Sequence, residues 1–389
     1  VDKLRKTRVA TSSKKWGRYK SSEILPLWIA DMDIKSPEFL EKSFIQRAKQ
    51  NYFGYTDISE KIKLGIIEWY KYKFVNLLQK DDILFCNSVL HGYSIILQTC
   101  LPKNGSIIVF TPLYPPLMKI AEDLGIEVIE IPIVKEENYR IDFKLLEKTI
   151  KENSEISAIT LCNPHNPIGK VWSEEVLSQI INLTKKYTLL LISDEIHSDL
   201  ILDGNRFYSI LDTSFSYKNK MVVLHSPAKT FNVAGLKASF MITRDQSLQK
   251  KLVEGLKKNF ASELDIFSIT MMEAIYTNIK DSYSYINSII QRIEQNYRYL
   301  ETALKKQSRC EIVKSQASFL VWIKVKDSAC NNSNEIREVL REKYAMDIHE
   351  GTIFRGEGKN YIRMNIGCPK ELLERAISQF ITALENEAI

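Results

Sequence analysis

Glycine, cysteine and histidine are sparse in this chain, at 14, 6 and 5 of 389 residues, and the motifs built on them are missing. The cysteines (Cys86, Cys100, Cys162, Cys310, Cys330, Cys368) are scattered with no CxxC pair. That spacing argues against a disulfide framework or a cysteine zinc site and for reduced thiols. The five histidines include no HExxH spacing, which makes a metal centre improbable. No G-x-G-x-x-G follows a strand pattern, so a nicotinamide dehydrogenase is disfavoured, and no G-x-S-x-G elbow marks a serine hydrolase. The longest apolar runs, such as 319–323, are strand-sized, too short for a transmembrane helix. The first eight residues are charged and lack the apolar middle of a secretory signal, which reads as cytoplasmic.

What is present is ordinary globular material: 44% hydrophobic and 26% charged residues. The length predicts two to three structural units, with enough buried surface for packing alone to hold the fold. Net charge is +6, and residues 1–35 carry nine basic side chains against four acidic ones. Such a run reads first as a solvated surface segment, without the basic-aromatic spacing of a nucleic-acid site.

From about residue 57 to 275, short apolar runs alternate with amphipathic stretches, the pattern of strands and crossover helices. Candidate strands are 83–86, 106–110, 127–131, 157–162, 188–193, 221–226 and 239–242. Most are apolar on both faces, which predicts an α/β unit whose mainly parallel, seven-stranded sheet is covered by helices on both sides. Ser173, followed by Glu174 and Glu175, predicts a helix start. After residue 281 a long amphipathic stretch leads into alternating strands near 319–325 and 361–366, predicting a smaller α+β unit joined rigidly by a helix. The expected division is 1–50 with the smaller unit, 51–281 as the large one, and 282–389 completing the smaller one.

In open α/β sheets function gathers at the carboxyl ends of strands. Here three successive runs are followed by Asn163-Pro-His-Asn-Pro-Ile-Gly169, Asp194-Glu-Ile-His-Ser-Asp199 and Ser226-Pro-Ala-Lys229. An Asn, an Asp and a Lys at neighbouring strand ends suit pyridoxal 5'-phosphate. Lysine forms a Schiff base with an aldehyde, and a carboxylate beside the pyridine nitrogen keeps it protonated so that the ring draws electrons from a carbanion at the substrate Cα. Lys229 and Asp194 fit those parts. Asn163 is placed to donate to the phenolic oxygen, with His197 reaching the same region. Tyr114 offers a stacking face. Ser226, Lys237 and the backbone amides of Val89 and Leu90, where a strand leads into a helix, are candidate phosphate donors.

Six ordered segments then resemble the fold-type I pyridoxal phosphate enzymes, the aspartate aminotransferase superfamily, and in particular the bacterial cystathionine β-lyase (C–S lyase) branch. They are Leu25-Pro-Leu-Trp-Ile-Ala-Asp-Met-Asp33, Phe53-Gly-Tyr-Thr56, the stretch from Cys162 to Gly169, Asp194-Glu-Ile-His-Ser-Asp-Leu200, the stretch from Ser226 to Leu236, and Arg363-Met-Asn-Ile-Gly-Cys-Pro369. The resemblance implies that Lys229 carries the cofactor and that Arg363 grips the substrate α-carboxylate, with Ala30 and Asn163 beside it. It implies a homodimer in which Tyr55 reaches the phosphate of the neighbouring subunit. It further implies β-elimination from L-cystathionine or a related cysteine S-conjugate to a thiol, pyruvate and ammonia, as in methionine biosynthesis. Two positions depart from the pattern: Lys237 stands where aminotransferases often have Arg, a point charge in place of a bidentate clamp, and Ser88 where relatives commonly have glycine.

Rivals remain at this stage. An aminotransferase uses the same groups and differs only in the fate of the carbanion. A regulatory protein of the same fold could capture a partner through the basic arm at residues 3–20. Ser226-Pro-Ala-Lys229 also reads as the S-x-x-K of penicillin-binding serine enzymes, although its companion motifs S-D-N and K-T-G are missing.

Overall fold

The computed structural model describes residues 1–73, 75, 78–136, 139–212 and 220–389. All seven expected strands form: β1 (Ile83–Cys86), β2 (Ser106–Thr111), β3 (Val128–Pro132), β4 (Ile156–Cys162), β5 (Leu190–Asp194), β6 (Met221–His225) and β7 (Ser239–Ile242). They make one sheet in the order β1-β7-β6-β5-β4-β2-β3. The pairs from β6 through β5, β4 and β2 to β3 are parallel. β7 runs against both of its neighbours.

Strand side chains alternate between two cores, as the two-residue pleat requires. Ile108, Phe110, Ile159, Leu161, Leu191, Val223 and Phe240 face one. Ile107, Val109, Ala158, Leu190, Ile192, Val222 and Met241 face the other. β3 departs from the pattern of strands apolar and buried on both faces, because it is the sheet edge; of its residues only Ile131 is buried. Thr188 and Leu189, expected in β5, instead form the exit from the helix Glu174–Lys186, with Thr188 at φ 58. Ser173 caps that helix, its side chain accepting from the Val176 N–H at 3.4 Å.

A third core joins Trp16, Leu25, Leu27 and Met32 to Leu320–Val325, Tyr361–Asn365 and the helix Lys370–Glu385. Its four-stranded antiparallel sheet runs His349–Glu350, Tyr361–Asn365, Leu320–Val325, Cys310–Ile312. The helix Ile279–Leu304 links the cores: Ile286 packs in the large one, and Ile289, Ile293, Tyr297, Leu300 and Leu304 in the small one. Glu38–Gln50, expected with the smaller unit, instead inserts Leu40 into the large core. Among the described residues no helix is long and apolar enough to cross a membrane.

Most of the basic N-terminal segment is exposed, as expected, with Lys3, Lys6, Lys14, Arg18, Lys20 and Lys35 on the surface; three of its cations are held. Arg5 Nη2 donates to the Ser21 carbonyl at 2.7 Å, Arg8 pairs with Asp31 at 2.5 Å, and Lys15 is fully buried against Asp33. Asp31 and Asp33 belong to the same run, and folding is what brings them onto Arg8 and Lys15.

Candidate active site

A cavity of about 190 Å³ opens at the carboxyl edge of the large sheet, as expected for open α/β architecture. Cys162 at the end of β4 and Asn166 just beyond it line the cavity, with Asp194, Ile196 and His197 after β5, and Ser226, Ala228 and Lys229 after β6. Asn87, Ser88, Val89 and Leu90 follow β1, and Tyr114 follows β2. Because β7 is antiparallel, the residues that precede it, Leu236, Lys237 and Ala238, arrive at the same edge. Ala30 closes the cavity from the N-terminal segment.

Asp194 ends β5, buried, with Oδ1 accepting from the Ile196 N–H at 3.1 Å. Burial pushes its carboxyl up to about 6, against the pull of Lys229. Among the described residues it has no salt-bridge partner. Lys229 Nζ donates to the Ala30 carbonyl at 2.9 Å. Desolvation first, and then the Arg363 guanidinium, bring its ammonium down to about 8. A carboxylate and an amine thus face one cavity, neither satisfied by a counter-ion in contact.

The helix Val89–Cys100 begins at the cavity with Ser88 as its cap, the side chain accepting from the His91 N–H at 3.1 Å. The N–H groups of Val89 and Leu90 lie in its first turn, where no helical carbonyl is available to them. A serine where relatives commonly have glycine therefore supplies a cap. Lys237 is exposed at the cavity wall. Ser226 is less free than its sequence position suggested: Oγ donates to the Ala238 carbonyl at 2.6 Å and accepts from the Ala228 N–H at 3.1 Å. It makes no hydrogen bond to Lys229, as a serine nucleophile activated by that lysine would. Tyr114 caps the helix Pro115–Asp123 and puts its half-buried ring on the wall.

Of the two asparagines in this loop, Asn166 lines the cavity and Asn163, the expected one, does not. Asn163 is fully buried, its Nδ2 donating to the Tyr208 carbonyl at 2.8 Å and its Oδ1 accepting from the Trp172 N–H at 3.4 Å. Asn166 is the asparagine on the cavity. Two asparagines in Asn163-Pro-His-Asn166-Pro were the available signal. Only the return of the loop, with the His165 N–H on the Lys170 carbonyl and the Gly169 N–H on the His165 carbonyl, decides which one faces inward.

Arg363 stands behind Asn166. It donates from Nη1 to Asn166 Oδ1 at 3.0 Å, and from Nη2 to His349 Nδ1 at 2.8 Å and the Trp28 carbonyl at 3.2 Å. Its guanidinium carbon lies 4.8 Å from the centre of the Phe354 ring, and its buried Nε has no partner. Burial, and then the Arg363 charge, hold His349 down to about 2, the neutral form that can accept. His197 bonds Ser318 Oγ through Nδ1 at 3.1 Å, and burial followed by the Lys229 and Arg363 charges lowers it to about 3. Tyr55 is not brought to the cavity: at 105% exposure it touches almost nothing in its own chain.

The other acids after β5 point away from the cavity. Glu195 accepts from Ser193 Oγ, Ser209 Oγ and the Ile210 N–H. Asp199 pairs with Lys73 at 2.6 Å.

The family model for aminotransferase class I and II matches residues 25–380. The chain is 29% identical over 386 residues to the cystathionine beta-lyase PatB of Bacillus subtilis, covering 98% of each. It is 23% identical over 371 residues to the cystathionine beta-lyase of Corynebacterium glutamicum, covering 95% of this chain and 96% of that one. The structure of cystalysin from Treponema denticola, which contains pyridoxal 5'-phosphate, superposes with a TM-score of 0.90 at 24% identity over 97% of each chain. The chain belongs to the class I and II aminotransferases, a family of pyridoxal 5'-phosphate enzymes.

Proposed function

We propose that this chain is a pyridoxal 5'-phosphate-dependent C–S β-lyase that cleaves L-cystathionine or a related cysteine S-conjugate to a thiol, pyruvate and ammonia. The observation that carries the reading is the pair Asp194 and Lys229, a buried acid and a half-buried amine on one cavity, each lacking a counter-ion in contact. An aromatic cation bearing an aldehyde satisfies both. Relatives named cystathionine beta-lyase, matched along nearly their whole length, support the choice of reaction within the family.

When bound, the cofactor supplies an electrophilic carbon and a ring that accepts the electron pair left at Cα. Asp194 would hold the pyridine nitrogen in its protonated form. The Tyr114 ring, on the cavity wall, would offer the cofactor a stacking face. The N–H groups of Val89 and Leu90, the Lys237 ammonium and the Ser226 hydroxyl would hold the phosphate. Asn166 takes the role at the phenolic oxygen first read for Asn163.

Lys229, as the neutral amine, takes the Cα proton as general base. Arg363 holds the α-carboxylate, with Asn166 and Ala30 beside it, so that the bonds to Cα keep their alignment. His197 stays neutral in this cationic corner and adds no further charge. The sulfur leaves with the electron pair of the Cβ–S bond and takes the proton held by Lys229 to become the thiol, and water releases pyruvate and ammonia. Tyr55 of a second copy completes the phosphate site in a homodimer.

Pyruvate release from L-cystathionine by the purified, cofactor-loaded protein without any keto acid tests the reading. Sustained turnover is expected. Turnover that requires a keto acid acceptor would replace it with an aminotransferase.

A further inference from the structure

The segment 28–34 touches both ends of the substrate site. Its Ala30 carbonyl accepts from Lys229 Nζ, and its Trp28 carbonyl from Arg363 Nη2. Asn232, three residues after Lys229, holds the Met32 and Ile34 carbonyls at 2.9 and 2.8 Å. Asn365, two residues after Arg363, holds the Ile29 and Asp31 carbonyls at 2.7 and 2.8 Å. This strap is therefore fastened to the amine on one side and to the guanidinium on the other.

The third fastening comes from the N-terminal arm. Lys15 Nζ bridges Asp33 Oδ2 at 2.6 Å and the Asp31 carbonyl at 2.8 Å, with no exposure of either charged side chain. Trp16 Nε1 donates to the other Asp33 oxygen at 2.8 Å. Arg8 adds its pairs to Asp31 and Asp33 at 2.5 and 3.6 Å. Arg18 lies over the Trp28 ring, 4.7 Å from its centre. A fully buried ion pair adds little net stability over apolar residues of the same volume, because desolvation offsets the attraction. What it fixes is geometry: a charge that cannot be left alone in the interior holds its partner, and the chain around it, in one place.

We propose that Lys15 is a positioning residue for the substrate site, acting through Asp31 and Asp33 to set the strap whose Trp28 carbonyl orients Arg363. Through Lys15 the basic arm then supports the substrate site without lining it. The inference rests on the reading of Arg363 as the carboxylate grip, and it concerns amino-acid binding, not cofactor binding, because the arm touches none of the phosphate donors.

The test is the double variant Lys15→Met with Asp33→Asn, which leaves no unpaired charge inside, in the full-length cofactor-loaded protein. KM for the amino acid is expected to rise about tenfold, the scale of one charged hydrogen bond, with kcat within about twofold of wild type. Affinity of the cofactor-free protein for pyridoxal 5'-phosphate is expected to stay unchanged. An unchanged KM, or a parallel loss of kcat and cofactor affinity, overturns the proposal. If the double variant does not fold, Arg8→Gln decides: a raised KM at constant kcat supports the strap, and an unchanged KM overturns it. A wild-type protein that turns over no amino acid at all would instead remove the functional reading itself.

Discussion

Thr230 Oγ1 donates to Asp199 Oδ2 at 3.0 Å, which ties the residue after Lys229 to the loop that begins at Asp194. The same carboxylate accepts from Trp69 Nε1 at 3.1 Å, pairs with Lys73 at 2.6 Å and faces His225 Nε2 at 3.3 Å. Asp199→Ala would leave Lys73 buried without a counter-charge, at a cost of about 3–5 kcal/mol. The expected result is a large fall in the denaturant midpoint; a midpoint within error of wild type would mean the network is not cooperative. Burial alone would raise the Asp199 carboxyl, but Lys73 and His225 together hold it well below its ordinary 3.8. Its contribution to stability is therefore present above pH 3.8 and is lost as pH falls toward the folded value.

Lys229 sets a second expectation. Its ammonium lies at about 8 instead of 10.5, by desolvation and then Arg363, so the rate at which cofactor-free protein captures pyridoxal 5'-phosphate should climb with a midpoint near pH 8. Between 8 and 10.5 the folded chain binds fewer protons at this site than the unfolded one, so the site's contribution to stability rises with pH across that window. Stopped-flow capture rates across pH check it. A midpoint near 10.5 would mean that the amine is not desolvated.

The two asparagines should separate cleanly. Asn166→Ala removes the Nη1 partner of Arg363 and is expected to lower kcat/KM by roughly 10- to 150-fold, about 1.5–3 kcal/mol for a hydrogen bond to a charged group. Asn163→Ala leaves the Tyr208 carbonyl and the Trp172 N–H without their side-chain partner and should cost about 1–3 kcal/mol of stability, with kinetics near wild type. The reverse pattern in steady-state assays and urea melts would return the cavity role to Asn163.

Tyr55, exposed in its own chain, is expected to act across a dimer. Tyr55→Ala and Lys229→Ala proteins should each be inactive. Hybrids formed by co-expressing the two would regain activity, because one site of each hybrid then holds Lys229 from one chain and Tyr55 from the other. No recovery in isolated hybrids would place Tyr55 outside the site.

Gly169 tests the loop that presents Asn166. At φ +66, with the position of a Cβ only 2.1 Å from Ser315 Oγ, it cannot take a side chain without strain. Gly169→Ala should destabilise by about 1–3 kcal/mol and raise KM as Asn166 shifts, and unaltered melting and KM would show that the loop adapts.

Strand positions and their chemistry were legible in the sequence because both are local. An apolar run of four to seven residues between polar turns makes a strand here in every case, buried unless it lies at the sheet edge, and the residues after it are carried to the carboxyl edge. Asp194, Lys229, Tyr114 and the first turn at Val89, which line one cavity, were reached in this way. Arg363 and Ala30 were legible only through resemblance, since nothing near them in the chain marks a site. Tertiary structure alone decided which asparagine of a five-residue stretch faces the cavity, that β3 is an edge strand, and that Glu38–Gln50 packs on the large core. It alone buried Lys15 of the otherwise exposed basic arm against Asp33. Each of these depends on a partner distant in sequence or on the path of a loop: Arg363 beyond Asn166, Asp33 beyond Lys15, and the sheet order beyond β3. A charge pattern read along the chain cannot register a counter-charge that only folding brings into contact.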